Sequence, residues 1–196
     1  MLGPMRIIAG DLRSRTLQAP TGLATRPTSD RLRETLFNVL ASRIEGAGFL
    51  DLYAGSGAVG IEALSRGAAR VVFVERAAPA LKVLRRNLDR LGLVSRVRVQ
   101  SESAVAVLRG PRTGSAGFDL VFLDPPYDAH TEYATVLALL GGEAAGLLAP
   151  GAVVIAEHRR KGQLEECYGM LRRTRLLKQG DAALSFYAAE RNAGAA

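Results

Sequence analysis

The chain has 196 residues, 48% of them hydrophobic, a single cysteine and a formal net charge of +7. That length suits one domain with a small appendage and a real core, and the composition excludes a disordered chain and a scaffold built on internal disulfides. No apolar run approaches the roughly 20 residues needed to span a bilayer, and the excess of positive charge favours an anionic partner, nucleic acid first.

The first residues, Met1-Leu2-Gly3-Pro4-Met5-Arg6, lack the apolar core of a signal peptide, so a cytoplasmic protein with no membrane attachment, a monomer, is expected. Residues 6–18 alternate short apolar pairs with arginines around Gly10-Asp11. This is the pattern of a small hairpin, too short for a core of its own. Its natural use is to offer Arg6, Arg13 and Arg15 to phosphates, which position a nucleic acid without reading its sequence. A polar loop carrying Arg26 and Thr28 follows, with good helix-capping residues. A helix is predicted from about 31 to 42, its apolar face formed by Leu32, Leu36, Phe37, Val39 and Leu40. Arg31 on this helix completes the candidate RNA-contacting set. Arginines crowd the start of the chain, Arg33 among them. A second basic cluster, Arg159, Arg160, Lys161, Arg172, Arg173, Arg175 and Lys178, crowds the end. The organisation predicted is a basic extension over 1–45, an α/β domain over 46–190 and a disordered tail over 191–196.

The sheet begins at Phe49-Leu50-Asp51-Leu52-Tyr53 and runs straight into Gly55-Ser56-Gly57-Ala58-Val59-Gly60. Strands at 71–74 and 97–99, a helix with Leu81, Leu84, Leu88 and Leu91 on one face, a strand at 118–123 and another at 153–156 continue the alternation. A helix over about 163–172 is predicted next, with Cys167 as a small buried packing residue on its apolar stripe. Two extended pieces around Gly180-Asp181 close the chain. The pattern is that of an α/β, Rossmann-like fold, a mostly parallel seven-stranded sheet ending in an antiparallel hairpin, with helices on both faces.

The glycine loop with Glu75 at the end of the next strand matches the dinucleotide fingerprint. Three features point away from a dinucleotide. Asp51 just ahead of the loop would repel a pyrophosphate but suit the ammonium of an amino-acid-bearing nucleoside. No histidine placed for hydride chemistry stands at a strand end; His130 lies in a loop and His158 in a basic run. The strand at 118–123 ends in Asp124-Pro125-Pro126-Tyr127. There the two prolines forbid continuation and create a stiff loop at the carboxyl end, where open α/β sheets place their ligands. Asp124 and the Pro125 carbonyl are acceptors for an exocyclic amine, and Tyr127 is a surface on which a base stacks. S-adenosylmethionine meets the demands of the loop better than NAD. Asp51 would take its ammonium, Glu75 its ribose hydroxyls, and the backbone at Gly55, Ser56 and Gly57 its amino-acid part. The three acids at 51, 75 and 124 are expected to converge on one crevice.

Taken together, these motifs resemble the class I methyltransferases, and more narrowly the RsmD family of guanine-N2 methyltransferases of small-subunit (16S) ribosomal RNA. The resemblance spans nearly the whole chain. Met5-Arg6-Ile7-Ile8-Ala9-Gly10 is similar to that family's N-terminus, which implies that residues 1–4 are an extension or follow a misassigned start. Residues 26–38, 55–67 and Leu184-Ser185-Phe186-Tyr187 also match. The family's acid for the adenine amine follows the third strand; here that place reads Glu102-Ser103-Ala104, so Ser103 replaces it and Glu102 stands one position earlier. The resemblance implies methyl transfer from S-adenosylmethionine to a guanine amine of ribosomal RNA or an assembling small subunit, with no metal. It places Asp124, Pro125, Pro126 and Tyr127 at the reacting amine, and Asp51, Tyr53, Gly55, Ser56, Gly57, Glu75, Arg76, Glu102, Ser103 and Asp124 around the cofactor. An adenine-N6 methyltransferase of nucleic acid and a non-catalytic nucleic-acid-binding domain with a relic pocket remain the alternatives.

Overall fold

The computed structural model of the chain describes residues 5–19, 29–111, 117–126 and 130–190. They belong to two compact units, Met1–Ala104 and Val105–Ala196.

The first unit holds α1 (Asp30–Val39), β1 (Gly48–Asp51), α2 (Ala58–Ser65), β2 (Arg70–Val74), α3 (Ala78–Leu91) and β3 (Val97–Gln100). Its strands lie in the order β3-β2-β1 and are all parallel, Phe49 opposite Val71 and Val71 opposite Val97. All four residues of β1 are buried, as expected of a strand covered on both faces. Ser29 caps α1, its hydroxyl accepting the Leu32 N–H at 3.2 Å.

The N-terminal hairpin is present. Ile7 N–H donates to the Arg15 carbonyl at 3.0 Å, Leu17 N–H donates to Met5 at 2.8 Å, and Arg6 and Thr16 form an antiparallel bridge. Its attachment to the unit is polar. The carboxylate of Glu62, fully buried on α2, accepts the N–H groups of Ile8 at 2.7 Å and Ala9 at 3.0 Å. Ser65, one turn further on, donates to the Ala9 carbonyl at 2.6 Å and accepts from Leu12 N–H at 2.9 Å. Gly10 has φ +81°, and a Cβ there would fall inside the Ser65 carbonyl, so both conformation and space demand glycine.

Arg33 is a correction to the reading of an arginine-rich start. It is fully buried, donates to the Arg6 carbonyl at 2.6 Å and to Asp30 at 2.9 Å, and pairs with Glu62 at 3.8 Å. Its charge holds the hairpin down and is not offered to an anion.

The second unit contains β4 (Phe118–Leu123), α5 (His130–Leu140), a 3-10 turn, β5 (Leu148–Arg159), β6 (Cys167–Tyr168), β7 (Leu171–Gln179) and β8 (Ala182–Ala189); α4 (Ala104–Arg109) precedes them. The order is β4-β5-β8-β7-β6, with β4 and β5 parallel and the rest antiparallel. The fold is the expected α/β, Rossmann-like architecture with an antiparallel C-terminal hairpin turning at Gly180-Asp181. The described residues hold eight strands, one more than expected, because β6 takes the place of the helix anticipated over 163–172.

The reason is local. Gly169 has φ +57° and abuts the backbone of Gly141, while Met170 N–H donates to the Gly141 carbonyl at 2.9 Å. A two-residue Gly169-Met170 turn therefore joins Tyr168 to Leu171 as a tight hairpin, with glycine at its first central position. Cys167 consequently lies exposed on β6, not buried on a helical stripe. His158, which falls in a basic run of the sequence, is buried on β5; Nδ1 meets the Arg159 carbonyl and Nε2 the Ser185 hydroxyl, both at 2.9 Å.

Candidate active site

In the first unit the cofactor candidates gather at the carboxyl ends of parallel strands. β1 ends on Asp51, whose side chain turns back under the glycine loop and accepts the Gly60 N–H at 3.1 Å through Oδ2. This carboxylate therefore caps the first turn of α2, a helix whose Gly57 cap position carries no side chain. Asp51 is 1% exposed, and its second oxygen, Oδ1, has no hydrogen-bond partner among the described residues. Burial pushes its carboxyl from 3.8 up to about 7; the Glu75 carboxylate pushes the same way, and the backbone N–H groups of Gly60 and Tyr53 pull back.

The loop itself is held from three sides. Gly55 and Gly57 have φ +54° and +84°. Gly57 N–H closes a turn onto the Ala54 carbonyl at 2.7 Å, and Gly55 N–H donates to Glu75 Oε2 at 2.8 Å. Gly60 packs α2 on β2 so closely that a Cβ would enter the Phe73 ring. The Ser56 carbonyl accepts from Nδ2 of Asn87 at 2.9 Å.

Asn87 was not legible as functional. It is 1% exposed on α3 and also exchanges a pair of hydrogen bonds with the Gln18 backbone, 2.9 Å to the N–H and 3.0 Å to the carbonyl. It thus ties the glycine loop to the N-terminal hairpin. The available signal was a lone amide between Leu84 and Leu88 on an otherwise apolar stripe.

Glu75 is half-buried after β2. Both oxygens already serve the backbone, Oε2 with Gly55 and Oε1 with Ala77 N–H at 2.8 Å. Each oxygen keeps a second lone pair, so ribose hydroxyls are acceptable partners; the carboxylate also shapes the loop, a role the sequence did not suggest. Tyr53 is half-buried and Arg76 exposed. Glu75 N–H bonds the Gln100 carbonyl at 3.0 Å, which sets the end of β3 beside it. In the segment that follows β3, Glu102 is exposed and Ser103, half-buried, immediately precedes α4.

In the second unit Leu120, Val121, Phe122 and Leu123 are all buried, and Asp124, half-buried, comes directly after them. Pro125 is buried and Pro126 exposed. The hydroxyl of Tyr133, buried on α5, lies 3.4 Å from the Pro125 carbonyl and 2.7 Å from that of Glu157. Its single proton serves the shorter contact, so the Pro125 carbonyl keeps its acceptor capacity. Tyr127, Arg26 and Thr28 lie outside the described residues. Of the other nucleic-acid candidates, Arg6, Arg13, Arg15 and Arg31 are all exposed.

A buried carboxylate oxygen lacking a partner beside a glycine turn fits the ammonium of S-adenosylmethionine, since an ionised Asp51 would otherwise be stranded. Parallel β-α units, a glycine turn after β1, an acid after β2 and Asp-Pro-Pro after β4 define the class I methyltransferases. Among solved structures the chain is similar to "Putative methyltransferase yhhF" from Escherichia coli, with a TM-score of 0.82 and 34% identity over 96% of this chain and 99% of that one. The family model described as "Conserved hypothetical protein 95" matches residues 5–188, and the chain belongs to this family, that of the RsmD methyltransferases. It is 36% identical over 183 residues to "Putative rRNA methyltransferase YlbH" of Bacillus subtilis (strain 168), covering 93% of this chain and 98% of that protein. It is 40% identical over 155 residues to "Ribosomal RNA small subunit methyltransferase D" of Escherichia coli (strain K12), covering 79% and 75%.

Proposed function

We propose that the chain methylates the exocyclic N2 of a guanine in small-subunit ribosomal RNA, with S-adenosylmethionine as donor. The observation that carries this reading is the buried, half-satisfied carboxylate of Asp51 beside the glycine turn. The names of its relatives support the RNA substrate. Bound S-adenosylmethionine supplies an electrophilic methyl on a sulfonium. Asp51 would hold its ammonium, the backbone at Gly55, Ser56 and Gly57 its amino-acid part, and Glu75 its ribose, with Tyr53, Arg76, Glu102 and Ser103 at the remaining edges.

The target amine is a weak nucleophile, because its lone pair is delocalised into the purine. Asp124 and the Pro125 carbonyl would accept its N–H groups, favouring a pyramidal nitrogen, and Tyr127 would stack the base. Once methylated, the amine nitrogen would be acidic and would pass its proton to the Asp124 carboxylate or to water, so Asp124 would need no raised basicity. Arg6, Arg13, Arg15, Arg26, Thr28 and Arg31 would contact the RNA backbone.

The test is transfer of labelled methyl to small-subunit RNA, free or in particles, followed by mass analysis of the nucleosides. N2-methylguanine is expected, and N6-methyladenine would move the reading to the other amine. Asp124→Ala should abolish transfer while S-adenosylhomocysteine still binds; retained transfer would overturn the role given to Asp124.

A further inference from the structure

The sequence directs attention to basic clusters at the two ends of the chain, and acids take up Arg33 of the first and Arg172 and Arg173 of the second. Arg33 and Arg66 are taken by Glu62, Arg172 pairs with Glu190, Arg173 with Glu166 at 3.3 Å, and Arg109 with Glu143 at 4.0 Å. The outer face of α3 carries a further set of cations, all on one element. Ala80, Leu81, Leu84, Asn87 and Leu88 turn inward, leaving Lys82, Arg85, Arg86 and Arg90 exposed. Among the described residues none of these four has an ion pair, although Asp89 lies within a turn of three of them.

Lys82, Arg86 and Arg90 follow one another at i, i+4, i+8, so like charges stand one above the next, an arrangement that by itself destabilises a helix. Successive members are about 6 Å apart along the axis, comparable to the separation of neighbouring backbone phosphates. Arg76, just ahead of the helix, is exposed as well. α3 has no aromatic residue on which a base could stack.

We propose that the outer face of α3, through Lys82, Arg85, Arg86 and Arg90, is a contact surface for the sugar-phosphate backbone of the RNA, separate from the N-terminal hairpin. The surface positions and carries no sequence information. Its placement follows from the buried side of the same helix. There Asn87 bonds the Ser56 carbonyl of the glycine loop and the Gln18 backbone of the hairpin, so RNA laid along α3 is registered to both. The proposal rests on the RNA-methyltransferase reading above and adds a surface to it.

The experiment compares the wild-type chain with two triple variants of equal charge loss. One is Lys82→Gln/Arg86→Gln/Arg90→Gln on α3; the other is Lys161→Gln/Arg175→Gln/Lys178→Gln in the second unit. Binding to a small-subunit RNA fragment is followed by fluorescence anisotropy over a salt series, with S-adenosylhomocysteine affinity and thermal midpoint measured alongside. The α3 variant should bind RNA about tenfold or more weakly, and its slope of log K against log salt should shrink by about two, as three lost phosphate contacts require. Its S-adenosylhomocysteine affinity and midpoint should match wild type, and the second variant should change the slope by less than half as much. Equal effects from the two variants would reduce the result to net charge and overturn the proposal, as would an unchanged slope in the α3 variant. A wild-type chain that binds neither S-adenosylhomocysteine nor RNA is the failure of the functional reading itself, visible before any variant is made.

Discussion

The role proposed for Asp51 makes the affinity for the methyl donor depend on pH in a calculable way. Its carboxyl is raised from 3.8 to about 7, first by burial and then by Glu75. A shift of that size corresponds to roughly 4 kcal/mol of preference for the protonated form in the free protein. The sign is that of an acid raised on folding. The stabilising contribution is fully present below about pH 4 and is lost as pH rises through about 7. An ammonium needs the ionised form, so proton and ligand compete for one carboxylate. Titration calorimetry with S-adenosylhomocysteine should show affinity rising about tenfold per pH unit from pH ~5 to ~7 and levelling above that. Asp51→Asn removes the charge and keeps the shape; it should bind weakly at every pH, with the slope gone. Glu75→Gln removes the neighbouring charge and should move the rising limb to lower pH. A flat wild-type profile, or an Asp51→Asn profile with the wild-type slope, would refute the assignment of Asp51 to the ammonium.

Asn87→Ala leaves the Gln18 N–H, the Gln18 carbonyl and the Ser56 carbonyl without their amide partner; a loss of about 2–4 kcal/mol in urea unfolding is expected, with S-adenosylhomocysteine affinity down severalfold. Glu62→Ala removes one of the two carboxylates facing the fully buried Arg33 and the acceptor of the Ile8 and Ala9 N–H groups, and should cost about 3–5 kcal/mol by chemical denaturation; Glu62→Ala/Arg33→Met should recover part of it. Gly10→Ala meets both a positive φ and the Ser65 carbonyl, so it should cost at least about 1–2 kcal/mol and open the hairpin to limited proteolysis while leaving S-adenosylhomocysteine binding within about threefold.

The elements that proved legible are those whose signal is local. β1, the glycine loop, β4 with its proline stop and the hairpin at Gly180-Asp181 each carry a short pattern that neither packing nor partners override. The segment at 163–172 shows the limit. Leu164, Tyr168 and Leu171 fit a helical stripe as well as a strand, and what decides is the approach of Gly169 to Gly141, a contact between residues far apart in the chain. α5 was missed because a weakly amphipathic, largely apolar run gives no clear period. Within the site, Asp51 was readable because an acid inside an apolar strand is conspicuous. Glu62 and Asn87 were not, since the N-terminal backbone groups they hold lie more than fifty residues away.

Those partners explain how a ribbon too small for its own core can present arginines. Nearly every polar tie to residues 5–19 falls on their main chain: Glu62 on the N–H groups of Ile8 and Ala9, Ser65 on Ala9 and Leu12, Arg33 on the Arg6 carbonyl, Asn87 on both groups of Gln18. Ile7 and Leu17 supply the apolar contact, and the side chains of Arg6, Arg13 and Arg15 are left at the surface. An ion pair buried under such a ribbon adds little net stability over an apolar substitute. Its carboxylate nevertheless fixes two consecutive N–H groups at once, and apolar packing would not set that register. Glu62 and Arg33 thus serve to position the hairpin whose arginines are proposed to meet RNA, more than to stabilise the core.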